Sequence, residues 1–388
     1  MSSTSPATRC RATGEAVHVA PRVFDLLQHL LRNRARVVSK DELLDELWGS
    51  RFVSEAALTT ALRSVRAAIG DSGQEQRLIR TVHGRGYQFV GVVDADDDAG
   101  SVPGAAADPE RQSIRFCTAD DGTRIAWATT GGGPVLLKAA NWLSHLDLEW
   151  RSPVWGHWVK DLAANRTVIR YDERGCGLSD WEVPNFGFDA WVSDLETVVD
   201  AAGLDTFPLL GVSQGGAVAV AYAARHPERV SKLILVGAYA RGRGVRAKTD
   251  DERAAAAMDL ELARLGWGHQ DPSYLRVFAS QFTPDGSSQD WDDFIDYQRS
   301  TAPPENGVRF LEEFARIDVS AIAPQVRCPT LILHSRDDRR VPSAQASELA
   351  TLIRDSQLVL LDSSNHLLGA AEPAWPALLA CIDDFLGD

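Results

Sequence analysis

A serine between two glycines is the first feature of this sequence that could do chemistry. Residues 211–215 read Gly-Val-Ser-Gln-Gly, after an apolar run and before an alanine-rich stretch. This order predicts a buried strand, a tight turn that carries Ser213, and a helix. Small neighbours avoid clashes at such a turn, and the helix N-terminus favours developing negative charge. The pattern indicates a nucleophile at Ser213, with the backbone N–H of Gln214 as one donor to an oxyanion.

A serine hydroxyl is a weak nucleophile at neutral pH and needs a base that a third group orients. Two later apolar runs, residues 329–333 and 356–362, are followed by Asp338 and His366 respectively. The sequence predicts that His366 takes the proton of Ser213 and returns it to the leaving group, and that an aspartate after the first of these runs, Asp337 or Asp338, fixes the tautomer of His366.

The elements that must position these residues are short apolar strands that alternate with helical segments. Such alternation predicts βαβ units and an α/β fold with a mostly parallel sheet. The predicted strands lie within residues 123–129, 134–140, 166–172, 207–212, 231–237, 329–335 and 356–362. Residues 239–322 lack this rhythm and are predicted to be helical.

Over residues 113–388 the sequence resembles the α/β-hydrolase superfamily, because the Gly-x-Ser-x-Gly turn, the acid and the histidine follow in that family's order. The resemblance implies a serine hydrolase that acts on a small apolar ester, with a helical cap over about residues 239–322. It also implies Asp338 as the acid, because the family's acid lies four residues after a histidine that matches His334, and Asp337 ranks second. Ala140-Asn141 stands where the family has His-Gly, so Trp142 would give the second oxyanion N–H. The predicted pocket residues are Asn141, Trp142, Trp267 and Phe282, although packing between the cap helices is an alternative role for the aromatic ones.

Residues 1–91 have a different character. The first 92 residues contain 13 Lys or Arg and 9 Asp or Glu, against 27 and 45 in the rest of the chain. An amphipathic pattern starts at Pro21, Ser39 to Glu42 form a capping box, and Ser54 opens a third helix that ends at Gly70. Residues 77–91 then predict a hairpin with a basic tip.

Three helices and a basic hairpin resemble the winged helix-turn-helix domain of OmpR/PhoB-type regulators, on residues 23–48, 53–71 and 79–91. The resemblance implies binding of double-stranded DNA through the third helix and the hairpin. Only about twenty residues precede the first helix, so the family's N-terminal sheet is expected to be truncated. The predicted DNA-facing residues are Thr59, Thr60, Arg63, Arg66, Arg80, His83 and Arg85. The alternative is a solvated face without a ligand.

Residues 92–112 are rich in Asp, Ala, Gly and Pro and are predicted to be a linker. No apolar run approaches the length of a membrane helix, no secretory segment is visible, and the five cysteines are scattered, which together predict a cytoplasmic protein without a membrane partner. The histidines show no metal-ligand spacing and no phosphate loop is present, so neither metal nor cofactor is expected.

Two hypotheses remain open from the sequence. In the first, the chain is an esterase fused to a DNA-binding module. In the second, it is a one-component transcriptional regulator whose hydrolase-like domain senses a small ligand with little or no turnover. A homodimer is an expectation from the DNA-binding class alone, because paired half-sites are usual there.

Overall fold

The structure is a computed structural model, and its two compact units are residues 1–103 and 104–388. The boundary between them falls inside the predicted linker. The structure describes residues 9–12, 15–18, 21–34, 37–40, 42–44, 55–72, 74, 76–82, 85–91, 112–267 and 271–387. Almost all of the predicted linker therefore lies outside the described residues.

The first unit has the winged-helix elements that the sequence predicts. Its helices are α1 (Pro21–Arg32) and α2 (Glu55–Ala68), and residues 40 and 42–44 between them are also helical. Strands β1 (Arg9–Ala12) and β2 (Glu15–His18) form one antiparallel pair before α1. Strands β3 (Ile79–Val82) and β4 (Gly86–Phe89) form a second pair, which is the predicted hairpin.

Local sequence explains where the helices of this unit begin and end. The Ser39 hydroxyl accepts a hydrogen bond from the Glu42 N–H at 3.1 Å, as expected for the predicted cap. Gly70 follows α2 with a φ of 70°, a left-handed conformation that glycine adopts without a steric penalty. The apolar faces of α1 and α2 then meet the hairpin in one core, which includes Leu26, Leu30, Leu58, Leu62, Val65, Ile79 and Phe89.

The second unit is built on one eight-stranded sheet. Its strands are β5 (Ser113–Thr118), β6 (Arg124–Gly131), β7 (Val135–Lys138), β8 (Thr167–Tyr171), β9 (Phe207–Val212), β10 (Val230–Val236), β11 (Thr330–Ser335) and β12 (Ser356–Leu361). The order across the sheet is β12-β11-β10-β9-β7-β8-β6-β5. Only the pairs β5–β6 and β6–β8 are antiparallel, so the sheet is mostly parallel as predicted.

Seven of these strands coincide with the predicted runs, and β5 was not predicted. Its burial alternates weakly and it lies at the edge of the sheet, where one side has no neighbouring strand. Such an edge strand can be largely polar, so its sequence lacks the apolar run that identifies a central strand.

Helices cover the sheet and form the cap. Those packed with the sheet are α3 (Leu146–Arg151), α4 (Gly156–Leu162), α5 (Phe188–Ala201), α6 (Gln214–Arg225), α12 (Ala344–Leu352) and α13 (Ala374–Leu386). Those inserted between β10 and β11 are α7 (Arg243–Arg246), α8 (Asp250–Gly266), α9 (Ser273–Ala279), α10 (Ser288–Thr301) and α11 (Pro304–Arg316). The insertion is helical where the sequence predicted a cap.

A buried ion pair anchors the turn after β8, which lies beside the nucleophile helix. The Arg174 guanidinium donates to both carboxylate oxygens of Asp194, at 2.7 and 2.6 Å. Both side chains are almost fully enclosed. A two-bond arrangement of this kind supplies the hydrogen bonds that a buried charge needs, so Arg174 is a structural residue.

Candidate active site and nucleic-acid surface

The nucleophile turn is held in a conformation that few residues adopt. Ser213, between β9 and α6, has a φ of 52° and a ψ of −125°. A Cβ on Gly215 would lie 2.4 Å from the carbonyl oxygen of Ala140, and a Cβ on Gly211 would lie 2.6 Å from the Cα of Gly216. Both glycines are therefore needed because neighbouring backbone occupies the space. The packing around the turn supports the strained geometry of Ser213.

Three residues that are far apart in sequence form one hydrogen-bonded chain. The Ser213 Oγ lies 2.9 Å from the Nε2 of His366. The Nδ1 of His366 lies 2.7 Å from the Oδ2 of Asp338. Each residue follows the carboxyl end of a parallel strand, namely β9, β11 and β12, so the sheet brings them to one edge. A hydroxyl, an imidazole and a carboxylate in this order have the geometry that a nucleophile, a base and an orienting acid require.

The environment of Asp338 keeps its carboxylate charged. Burial alone would raise the pKa of this carboxyl group, but the charge and hydrogen bond of His366 lower it below its ordinary value. Its other oxygen accepts from the backbone N–H groups of Arg340 and Val341, each at 2.8 Å. Asp337, the second-ranked candidate, is exposed, and its backbone N–H bonds to Ser363.

A second histidine, His334, lies next to the acid. Its Nε2 is 2.8 Å from the carbonyl oxygen of Val341 and 3.5 Å from the Oδ2 of Asp338. Burial lowers its pKa, so this imidazole is neutral at physiological pH. His334 therefore supports the loop that carries Asp338 without adding a charge to it.

The loop that carries His366 is attached to the cap. The backbone N–H groups of His366 and Leu367 both donate to the carbonyl oxygen of Phe282, at 2.8 and 3.2 Å. The Phe282 ring also packs edge-on against the imidazole, with 5.8 Å between ring centroids. The cap thus contributes directly to the position of the base.

One of the two predicted oxyanion donors is already engaged. The Trp142 backbone N–H donates to the side-chain Oε1 of Gln214 at 2.9 Å. The indole of Trp142 donates to Gln298 at 3.0 Å, so cap helix α10 also fixes this residue. The Gln214 backbone N–H lies in the first turn of α6, where N–H groups have no acceptor within the helix. An oxyanion at this position would compete with the Gln214 amide for Trp142.

A buried glutamate lies behind the Gln214 amide. The Nε2 of Gln214 is 3.5 Å from the Oε2 of Glu173, at the long limit of a hydrogen bond. Burial, together with the charge of Asp194, raises the pKa of Glu173 to about 8. Glu173 is therefore mostly protonated at neutral pH, and it does not place a negative charge beside a developing oxyanion.

A cavity of about 50 Å³ opens beside Ser213. Trp142 and Phe282 lie in its wall, together with other residues of the cap. Asn141 and Trp267 do not. The Asn141 amide accepts a hydrogen bond from the buried Lys138 ammonium, and the Trp267 indole donates to the carbonyl oxygen of Ala302 at 3.4 Å. Asn141 and Trp267 thus bond to other groups and are not part of the cavity wall.

The cavity wall contains charged residues that the sequence analysis missed. Arg243, Arg246, Arg340 and Asp259 line it beside the aromatic side chains. The expected wall was apolar, and the observed wall is mixed. The sequence had one indication of this, since residues 241–246 carry three arginines at the start of the cap.

The first unit places the predicted DNA-facing residues in different environments. Thr59, Arg63, Arg80 and Arg85 are exposed. Arg66 is not: it is buried, and its guanidinium donates to the carbonyl oxygen of Ile79 at 2.8 Å and to the Thr81 hydroxyl at 3.0 Å. The helical spacing put Arg66 near the exposed face, but its side chain reaches the hairpin instead. The side chain of Thr60 and the whole of His83 lie outside the described residues.

Two further observations concern ligands and membranes. Within the described ranges, no group of three or more His, Cys, Asp or Glu side chains could hold a metal ion. No helix of that part of the chain combines the length and apolar character needed to cross a bilayer.

Comparisons with known proteins agree with both units. The alpha/beta hydrolase fold family matches residues 142–373. The family described as "Transcriptional regulatory protein, C terminal" matches residues 14–89. A pyrrolizixenacetamide deacetylase from Xenorhabdus hominickii is 30% identical over 219 residues, which are 56% of this chain and 80% of the relative. A 2-hydroxy-6-oxo-2,4-heptadienoate hydrolase from Pseudomonas putida is 31% identical over 255 residues, which are 60% and 83%.

Solved structures give the same result. An esterase from Rhodococcus superposes with a TM-score of 0.55 at 27% identity, over 71% of this chain and 99% of the esterase. The fold and these similarities define a hydrolase-class domain joined to an OmpR/PhoB-type winged-helix domain. The chain belongs to the alpha/beta hydrolase fold family.

Proposed function

We propose that residues 113–388 hydrolyse a carboxylic ester through an acyl-enzyme on Ser213, and that residues 1–91 bind double-stranded DNA. The observation that carries the enzymatic part is the hydrogen-bonded chain from Ser213 through His366 to Asp338. In the first step, Ser213 attacks the ester carbonyl, His366 takes its proton, and the alcohol leaves with that proton. Water then cleaves the acyl-enzyme by the same route and releases the acid.

The named relatives do not determine which class of substrate this site hydrolyses, and esters are the class that we propose. By their names, one relative is a deacetylase of pyrrolizixenacetamide and another hydrolyses 2-hydroxy-6-oxo-2,4-heptadienoate. The named substrates thus differ between relatives. An alkoxide or phenoxide leaving group makes the smallest demand on proton donation by His366, so esters are the first substrates to test.

The test is hydrolysis of 4-nitrophenyl butyrate by the wild type and by Ser213→Ala. We expect a burst of nitrophenolate from the wild type and a loss of about 10³-fold or more in the variant, because no acyl-enzyme can form. Ser193→Ala, on the exposed face of α5, is the matched control and should behave like the wild type. Equal rates for the wild type and Ser213→Ala would refute the assignment.

A second function, ligand sensing without turnover, has its own support. The Trp142 N–H already has an acceptor, so one of the two predicted oxyanion donors is engaged, which argues against rapid turnover. The DNA-binding assay that tests it uses a mixed-sequence duplex and Ser213→Ala, with and without a non-hydrolysed ester. A change in DNA affinity with ester present favours sensing, and an unchanged affinity argues against it. Homodimerisation stays a prediction, to be checked by light scattering.

For the DNA-binding unit, the exposed residues of α2 and of the hairpin are the proposed contacts: Thr59, Arg63, Arg80 and Arg85. Arg66 is left out because its guanidinium bonds to the hairpin. Arginines that contact phosphates make binding depend on salt, so affinity for a mixed duplex should fall as salt rises. An affinity that is independent of salt would contradict this proposal.

A further inference from the structure

The charges around the cavity do not balance. Three guanidinium groups line it, from Arg243, Arg246 and Arg340, but Asp259 is the single carboxylate in the wall as the structure describes it. Arg243 and Arg340 both bond to the same oxygen of Asp259, the latter at 2.6 Å. The other oxygen of Asp259 accepts from the Gln281 amide at 3.1 Å. Asp259 is therefore saturated by two of the three arginines.

Arg246 is the guanidinium with spare donors. Its hydrogen-bond acceptors are the carbonyl oxygens of Arg241 and Arg340, at 3.2 and 3.3 Å, both long for a charged donor. It also lies 5.7 Å from the ring centroid of Tyr239. Burial lowers its pKa to about 10, so the group is still charged at neutral pH. Among the described residues no carboxylate forms an ion pair with Arg246, although the charge of Asp338 acts on it, and a half-buried cation of this kind is costly unless a ligand supplies the anion.

The same two arginines of α7 also face a second space. Arg243 and Arg246 line an adjoining open groove of about 550 Å³, together with Arg241 and Lys248. Its two carboxylates are engaged: Glu348 lies 3.2 Å from the Arg241 guanidinium, and Glu252 caps α8. The groove is large enough for a small molecule, whereas the cavity alone is not. Helix α7 lies between a basic groove and the cavity that contains Ser213.

We propose that the ester substrate carries a free carboxylate, that it enters along this groove, and that Arg246 binds that carboxylate while Ser213 attacks the ester carbonyl. The inference rests on the proposed function and narrows it from esters to monoesters of dicarboxylic acids. The planar guanidinium can donate two parallel hydrogen bonds to a carboxylate, which fixes the orientation of the substrate as well as its charge. Water and the monoester give the dicarboxylic acid and the alcohol, so the reaction needs no co-reactant.

The experiment compares two substrates of the same length. One is mono-4-nitrophenyl adipate, with a free carboxylate, and the other is its methyl ester, which is neutral. We expect the wild type to prefer the anionic substrate in kcat/KM, and Arg246→Gln to lose about 10- to 100-fold of that preference. The rate of Arg246→Gln with the neutral ester shows that the variant is folded and active. Arg253→Gln, which removes an exposed arginine of α8, is the control and should keep the wild-type preference.

The outcomes separate this proposal from the one on which it rests. Hydrolysis of both substrates without preference for the anionic one overturns the carboxylate proposal and leaves the esterase intact. Inhibition by inorganic phosphate as strong as inhibition by adipate overturns the carboxylate class in favour of a general anion site. If neither ester reacts, the esterase proposal fails, and binding of monomethyl adipate to Ser213→Ala decides the anion site by calorimetry. Binding that Arg246→Gln abolishes supports the site, and no binding overturns it.

Discussion

The site has two halves that differ in how they are built. Ser213, Asp338 and His366 follow the ends of β9, β11 and β12, so the backbone of the sheet positions them. Arg243, Arg246 and Asp259 come from helices α7 and α8 of the cap insertion, where helix packing and side-chain hydrogen bonds position them. The first half is therefore defined by topology and the second by packing. Substitutions should affect chemistry in the first half, and substrate binding or cap stability in the second.

The largest expected effect is in the sheet-borne half. Asp338→Asn removes the charge that stabilises protonated His366 and favours the wrong tautomer, so kcat should fall by about 10³- to 10⁴-fold while the fold persists. The measurement is steady-state hydrolysis of 4-nitrophenyl butyrate. Asp337→Asn, the adjacent exposed residue, is the matched control and should keep the wild-type rate. A larger loss in Asp337→Asn than in Asp338→Asn would invert the assignment.

In the half of the site that comes from the cap, we expect a substitution to lower the free energy of unfolding. Asp259→Asn leaves three arginines without the carboxylate that two of them share, so the free energy of unfolding should fall by about 1–3 kcal/mol. Thermal unfolding and hydrogen exchange in α8 measure this loss. Asp250→Asn, at the exposed start of the same helix, makes the same chemical change and should be nearly neutral. Equal losses in the two variants would show that the arginine cluster contributes nothing.

The direction of the Asp259 pKa shift determines how the stability that this arginine cluster contributes changes with pH. Burial would raise the pKa of Asp259, but the charges of Arg340 and Arg243 lower it below the ordinary aspartate value. The folded-state pKa is thus lower than that of the unfolded chain. The stabilisation is present above about pH 4, the ordinary aspartate pKa, and is lost as the pH falls below it. The protection factors of the cap amides in the wild type should fall there, and Asp259→Asn should lack that fall.

The first unit offers a similar comparison, between the buried Arg66 and the exposed Arg63 on the same helix. Arg66→Ala should lower stability by about 1–2 kcal/mol, because the buried carbonyl of Ile79 loses its donor. Arg63→Ala should leave stability unchanged and weaken binding to a mixed DNA duplex a few-fold, with the salt slope smaller by about one. Chemical denaturation and fluorescence anisotropy distinguish the two. Both variants affecting DNA affinity alone would mean that Arg66 acts as the sequence first suggested.

The smallest expected effect is at Gln214, whose side chain accepts a hydrogen bond from the Trp142 N–H. Gln214→Met keeps the length of the side chain but removes the acceptor of the Trp142 N–H, which becomes available to the substrate oxyanion. Since a hydrogen bond contributes about 1 kcal/mol, kcat/KM should rise about fivefold. Gln289→Met, on the exposed surface of α10, is the control. A fall in kcat/KM would mean that the Gln214 amide positions the turn rather than competing with substrate.

These contrasts also explain how far the sequence could predict the structure. The strand runs and the serine turn indicated Ser213 and His366, and the family resemblance indicated Asp338. Their side chains lie together because a parallel sheet brings the ends of its strands to one edge. The arginine cluster was missed because the positions of cap side chains depend on how the cap helices pack against one another, which the sequence pattern does not specify. Arg66 was misplaced because its guanidinium bonds to Ile79, which lies on another element, and Asn141 was misplaced because its side chain bonds to the buried Lys138. Spacing along the chain contains no information about such partners.

The two hydrogen bonds that the His366 loop donates to the carbonyl of Phe282 have a consequence for timing. Any displacement of that part of the cap pulls on the backbone that carries the base. We therefore expect the 2.9 Å distance between Nε2 of His366 and Oγ of Ser213 to lengthen when this part of the cap moves. A substrate with a long alcohol or acyl chain that displaces the cap would bind next to Ser213 while His366 is too far away to take its proton. Chain-length selectivity in this enzyme should then appear in the turnover rate, even where binding is tight.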